Sequence, residues 1–267
     1  MPFCRKCGNQ LDEQASFCPR CGTPVSPSFT PPYAARRERR TYSYVPIAVI
    51  AGVLFLALIL FVGFFYSWSP FGTIVGSGNV VTQDRSFSGF SSVGVSSGFS
   101  FVITQSSSYS VRTITDANIQ DYIQISQSGG TLSVGLKPGY SVTTSILRVE
   151  ISMPSLRRLE LSGGAHGNAT GFVSTSNFAV DASGGSKVQM EGQANDLTIN
   201  ASGGGQLDLS DFAVRNANVN LSGGSTADVH VSGRIDANLS GGSHLYYSDN
   251  PTLGSINVSG GATIEKR

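Results

Sequence analysis

Cys4, Cys7, Cys18 and Cys21 are the residues whose types and spacing specify a chemistry most directly. They form C-x2-C, ten intervening residues and a second C-x2-C, a spacing that suits one Zn2+ held by four thiolates in a closed tetrahedron. Each pair is followed by glycine, Gly8 and Gly22, which permits the tight backbone turn such a knuckle needs. A segment this short cannot bury a core, so metal binding would supply its folding free energy. The competing chemistry, a redox C-x2-C pair, has a βαβ unit as its usual setting, and none surrounds these residues. Nothing in the segment suggests a fifth ligand or an open coordination position, so the expected site is structural, with Cys4, Cys7, Cys18 and Cys21 as its ligands.

Other reactive side chains are sparser. Asp208 and Asp228 fall at equivalent positions of adjacent repeats, about 5 Å apart, near the separation of a retaining glycosidase pair. The same column carries Asn168, Gln189 and Tyr246, which fits a solvated outer row. His166 and His244 share a column but lie four coils apart, about 19 Å at ~4.8 Å per coil, too far to share a metal. His230 shows no partner in the sequence. The run GGGQLD, Gly203 to Asp208, approaches the calcium-roll consensus G-G-x-G-x-D, but Gln206 replaces a glycine and the other repeats lack the aspartate. Five sequons occur, at Asn168, Asn200, Asn220, Asn238 and Asn257. Four of these asparagines belong to the repeat itself and would stack ~4.8 Å apart, as a ladder of amides rather than a row of glycans.

The elements that position these residues are repeats. From Leu159 onward one pattern recurs six times: LELSGGAH, VDASGGSK, INASGGGQ, VNLSGGST, ANLSGGSH and INVSGGAT. The serines, Ser162, Ser183, Ser202, Ser222, Ser240 and Ser259, are spaced 21, 19, 20, 18 and 19 residues apart. A period near twenty, built from alternating strands and glycine turns, predicts a parallel β-solenoid. Right-handed winding is expected, because parallel crossovers nearly all take that hand. Leu159, Val180, Ile199, Val219, Ala237 and Ile256 form one inward column; Leu161, Ala182, Ala201, Leu221, Leu239 and Val258 form a second. Between them Glu160, Asp181, Asn200, Asn220, Asn238 and Asn257 point outward by the period-two rule. After the glycines a second strand continues inward through Val188 and Met190, Leu207 and Leu209, Ala227 and Val229, and Leu245 and Tyr247. Residues 76–154 are strand-rich and less regular.

One further stretch sets the topology. Val45 to Tyr66 is twenty-two residues without a charge, about 33 Å as a helix, enough to span a ~30 Å hydrocarbon core. The expected element is a single-pass transmembrane helix. Arg36, Arg37, Arg39 and Arg40 precede it, and no lysine or arginine follows until Arg85, so the N-terminus is expected in the cytoplasm and the C-terminal part outside. The first 44 residues carry seven basic and three acidic side chains, and residues 67–267 carry eleven and fourteen. The basic cluster fits membrane topology and anionic lipid, and the chain lacks the basic stripe of a nucleic-acid binder. The outer part, without cysteine, must hold by burial and backbone pairing.

Two resemblances attach to these residues. The two knuckles, with Phe3 and Phe17 before them, resemble the short zinc-ribbon family, which implies a zinc-stabilised module for protein contact. The Tyr-Ser-Val strand, Asp116-x-Asn118, Gly130-Thr131-Leu132, VEISMPSLRRLELSGG and the repeated S-G-G resemble the autotransporter adhesin head, or GIN, domain family over residues 79–265. That resemblance implies a right-handed β-helix at a cell surface. The expected chain is mainly β: a zinc ribbon over 1–25, a Pro/Arg-rich linker over 26–44, a transmembrane helix over 45–66, a linker over 67–78 and an extracellular β-helix over 79–267. The expected function is a cell-membrane-anchored, non-enzymatic surface protein that binds a protein or glycan, with a cytoplasmic protein partner for the ribbon. An envelope sensor coupling the outer domain to the ribbon is the second reading, and an enzyme acting on surface polysaccharide the third.

Overall fold

The computed structural model describes residues 3–12, 15–24 and 72–267. Val45 to Tyr66 lies outside them, and among the described residues no helix is long and apolar enough to cross a membrane. Two compact units divide the chain, Met1–Val62 and Gly63–Arg267.

The second unit is a β-solenoid with two parallel faces. The first face contains Arg158–Leu161, Phe178–Ala182 and the C-terminal parts of Lys187–Ala201, Gln206–Leu221 and Thr226–Leu239, ending on Thr252–Val258. The second face contains His166–Val173, the N-terminal parts of the same three long strands, His244–Ser248 and Thr263–Lys266. The long strands pass from one face to the other through register shifts, such as those between Leu209 and Ala213 and between Val214 and Asn216. These bulges bend the strand without breaking it.

The inward columns are as the alternation predicts. Leu159, Val180, Ile199, Val219 and Ala237 are buried, as are Leu161, Ala182, Ala201, Leu221 and Leu239. The last coil departs from the expectation: Val258 is 46 % exposed and Ile256 only partly buried. Their inward neighbours lie on one side only, since no described strand pairs with the outer edge of Thr252–Val258.

From Ser202 onward each S-G-G corner needs its first glycine twice over, for its positive φ and for the close approach of the preceding coil. Gly223 sits at φ +70°, and a Cβ there would lie 2.8 Å from the Gly203 carbonyl oxygen, whereas a Cβ on Gly224 would meet that oxygen at 3.6 Å. The coils approach so closely because Gly224 N–H donates to the Gly203 oxygen at 2.6 Å. Gly223→Ala is therefore expected to cost about 2 kcal/mol and Gly224→Ala less than about 1 kcal/mol. Urea unfolding midpoints of the two variants check this, and equal midpoints would contradict it.

Residues 76–154 contain an unexpected coil. Ser92–Val95 and Ser100–Gln105 make a full solenoid layer, with Ser97 and Gly98 at positive φ in the corner. That layer lies between Thr131–Leu136 with Leu147–Met153 on one side and Arg158–Leu161 with His166–Val173 on the other. Chain order and stacking order therefore differ. The early end is closed by antiparallel strands: Ile123–Ser128 on the first face, Ser110–Asp116 and Val80–Arg85 on the second. Its core is aromatic, with Phe90, Phe99 and Phe101 almost fully buried.

The entry to this unit is stitched down. Thr73–Val75 pairs with Ser141–Thr143, the Asn118 amide donates to the Val75 carbonyl at 2.9 Å, and Ser77 N–H donates to Asn118 Oδ1 at 2.9 Å. Asp116, 1 % exposed, accepts from the Thr144 hydroxyl and occupies the space where a side chain on Gly76 would go.

Candidate metal centre and binding faces

The cysteine-bearing unit consists of two matching knuckles. Cys4 N–H donates to Asn9 and Gly8 N–H to Cys4, and Cys18 and Gly22 repeat this with Thr23 and Cys18, all at 2.8–2.9 Å. Gly8 and Gly22 take φ +70° and +66°, which fits the expected role of these glycines. The four Sγ atoms lie within 4.8 Å of one another, with Cys4–Cys21 and Cys7–Cys18 both at 3.6 Å. A tetrahedral ion with ~2.3 Å metal–sulfur bonds has sulfur–sulfur edges of ~3.8 Å, so the cluster fits one such ion. Leu11 is buried with Cys4 and Cys18, while Phe3 and Phe17 are 62 % and 63 % exposed.

The thiols do not ionise alike. Cys21 is lowered to about 6 by the hydroxyl and backbone N–H of Thr23, and Cys4 is lowered by the backbone N–H groups of Lys6 and Cys7. At Cys7 the Asn9 N–H favours the thiolate, but Cys21, burial and the other thiols outweigh it and push Cys7 up to about 12. Four sulfurs this close cannot all be anionic without a cation among them.

On the first outer face the sequence-predicted outward residues, Glu160, Asp181, Asn200, Asn220, Asn238 and Asn257, form one in-register file, which the structure extends through Gly94, Ser133 and Ser126. From Asn257 the amides bond in sequence, each donating to the side-chain oxygen one coil earlier, at 2.8, 3.0, 3.0 and 2.8 Å, until Asn200 reaches Asp181. Asp181 also accepts from Arg158. The expected asparagine ladder is present.

On the second outer face Asn168, Gln189, Asp208, Asp228, Tyr246 and Glu265 are in register. Asp228 pairs with Arg267, whose guanidinium lies 3.7 Å over the Tyr246 ring, and Asp208 accepts from the Ser210 backbone at 3.2 Å and hydroxyl at 2.7 Å. The two carboxylates are neighbours, as the sequence predicts, and each is held by a donor. His166 and His244 stand four register steps apart through Lys187, Gln206 and Thr226. His230 has the partner that the sequence did not show, Asp249 at 2.9 Å. It escapes a column alignment because Asp249 lies beyond the end of a strand, at φ +69°.

Residues 89–251 match the family described as "Putative auto-transporter adhesin, head GIN domain". The chain belongs to this family. Residues 3–25 match a zinc-ribbon domain. The GIN head is similar in fold to a "putative adhesin" from Bacteroides fragilis NCTC 9343, with a TM-score of 0.61 at 18 % identity, over 73 % of this chain and 100 % of that one. A "putative lipid binding protein" from Parabacteroides distasonis ATCC 8503 has a TM-score of 0.50 at 16 % identity, with the same coverage. No curated protein matches. In the GIN head the Asp116-x-Asn118 pair has a structural place, the stitching of the entry strand, and the S-G-G corners space the two outer faces.

Proposed function

We propose that this chain is a single-pass cell-surface protein whose GIN head binds surface components, a protein or a glycan, in a non-enzymatic role. The head supports this reading through its outer faces: files of hydrogen-bonding side chains over a continuous buried apolar core, in a family named for adhesion. In this reading residues 1–25 are a cytoplasmic ribbon holding one structural Zn2+ through Cys4, Cys7, Cys18 and Cys21. Residues 26–44 link it to a membrane helix over 45–66, and 67–78 lead to the external solenoid over 79–267, wound right-handed. Cells that produce the chain should adhere to envelope fragments of their own kind, and deletion of residues 72–267 should abolish the gain; equal adherence would refute the binder. A reporter active only in the cytoplasm should work ahead of the ribbon and be silent after Arg267, and the reverse pattern would refute the topology. A sensor is the second reading. Exposed Phe3 and Phe17 favour it, because they give the ribbon an apolar contact for a cytoplasmic protein.

A further inference from the structure

The amide ladder on the first face stops short. Beyond Asp181 the next side chain is Glu160, which has no ion-pair or hydrogen-bond partner among the described residues, and the next position is Gly94, with no side chain at all. Past the gap stand Ser133 and Ser126, whose hydroxyls likewise have no partner among the described residues. A trough of about 700 Å3 lies over this break, lined by Gly94, Ser126, Ser133, Arg158, Glu160 and Asp181 among others. A smaller hollow of about 350 Å3 follows over the bonded Asn200, Asn220 and Asn238, so the surface along this file is most open where the file cannot bond to itself.

We infer that this trough is a binding site for a saccharide carrying acetamido groups, seated along the file across the strands. The inference deepens the binder reading above and rests on it. Glu160 and Asp181 only accept, and Asp181 is already engaged by Arg158 and Asn200, so the group filling the gap must donate to Glu160. The Ser133 and Ser126 hydroxyls can donate to that group or accept from it. A secondary amide donates to Glu160 and accepts from such a hydroxyl, as the side-chain amides of Asn200, Asn220 and Asn238 each donate and accept further along this file. Ring hydroxyls supply further donors at each ~4.8 Å step along the stack. An anionic sugar is disfavoured, because the one arginine in the trough is committed to Asp181 while Glu160 is unneutralised. A peptide strand would seek a sheet edge for its backbone, and this site is on a face.

The gap can be closed by design. Gly94 is not at positive φ, and a Cβ there would meet Ser133 Oγ at 3.6 Å and Glu160 Oε2 at 3.8 Å, ordinary contacts. Gly94→Asn should therefore fold, place an amide in the vacant position and fill the trough. Isothermal titration of the full chain in detergent with an N-acetylglucosamine oligosaccharide should show saturable binding. A glucose oligosaccharide of the same linkage should bind at least about tenfold more weakly, and a galacturonate oligosaccharide should not bind. Gly94→Asn, with its unfolding midpoint kept, and Glu160→Gln should each weaken binding about tenfold or more. No saturable binding, equal binding of the glucose oligosaccharide, or undiminished binding by Gly94→Asn would overturn the assignment. Envelope adherence that survives Gly94→Asn would sink the trough alone, whereas loss of adherence to the wild-type head would sink the binder reading.

Discussion

Leu221→Asp is expected to unfold the solenoid, whereas Asn220→Asp, one residue away, leaves it folded. Leu221 is 2 % exposed and lies in register between Ala201 and Leu239, themselves buried. An aspartate there has no donor within the dry column, and an uncompensated buried charge costs several kcal/mol against a typical domain stability of about 5–15 kcal/mol. Asn220 faces outward in the ladder, donating to Asn200 and accepting from Asn238, both at 3.0 Å. Asn220→Asp removes that donor and sets a carboxylate against the Asn200 oxygen. This costs more than an isolated surface change, about 1 kcal/mol, because water can still reach the group. Circular dichroism during urea unfolding separates the two. Equal midpoints would mean that the inward and outward files have been interchanged.

Removing the metal is expected to have the second large effect, confined to the ribbon. In the reading proposed above, one Zn2+ holds four thiolates around a core of little more than Leu11, so binding free energy and folding free energy are nearly the same quantity, on the order of 10 kcal/mol. All four cysteines of the chain lie in this unit, so a thiol reagent reports on it alone. In the native chain the thiols should react slowly. A chelator should make all four react at once, without changing the β signal of the head. Cys18→Ser removes a ligand that is 2 % exposed and should leave the other three thiols reactive even with zinc present. Equal reactivity with and without chelator would exclude a structural ion.

Much of this was legible because a solenoid repeats its reasons. Every column from Leu159 to Ala237 is the same test of inward apolar position repeated once per coil, and the alternation places each residue correctly. Terminal Val258 fails because a column rule assumes a neighbour on both sides. The coil at Ser92–Gln105 was legible but missed. Val93-Gly94-Val95-Ser96-Ser97-Gly98 is the same phrase as Leu159-Glu160-Leu161-Ser162-Gly163-Gly164, separated from it by more than fifty residues, so a search for even spacing passes over it. Gly94 then looks like an ordinary strand glycine, and only its register beside Glu160 shows what its missing side chain leaves open. The cysteine cluster was fully legible, since ligand spacing within one short segment fixes which sulfurs can meet.

The displaced order of that coil bears on how the molecule is assembled. In a simple stack, a chain emerging from the ribosome lays down each layer on the previous one, and contacts stay local. Here residues 92–105 come first but lie between layers made by residues 131–153 and 158–173. They are expected to wait, half covered, until later segments close on both sides, so that long-range closure is expected to make the early end the slow step of folding. The two ends are therefore unequal under truncation. Loss of the last coil shortens the stack by one, whereas loss of residues 92–105 removes a layer from within it and separates what remains.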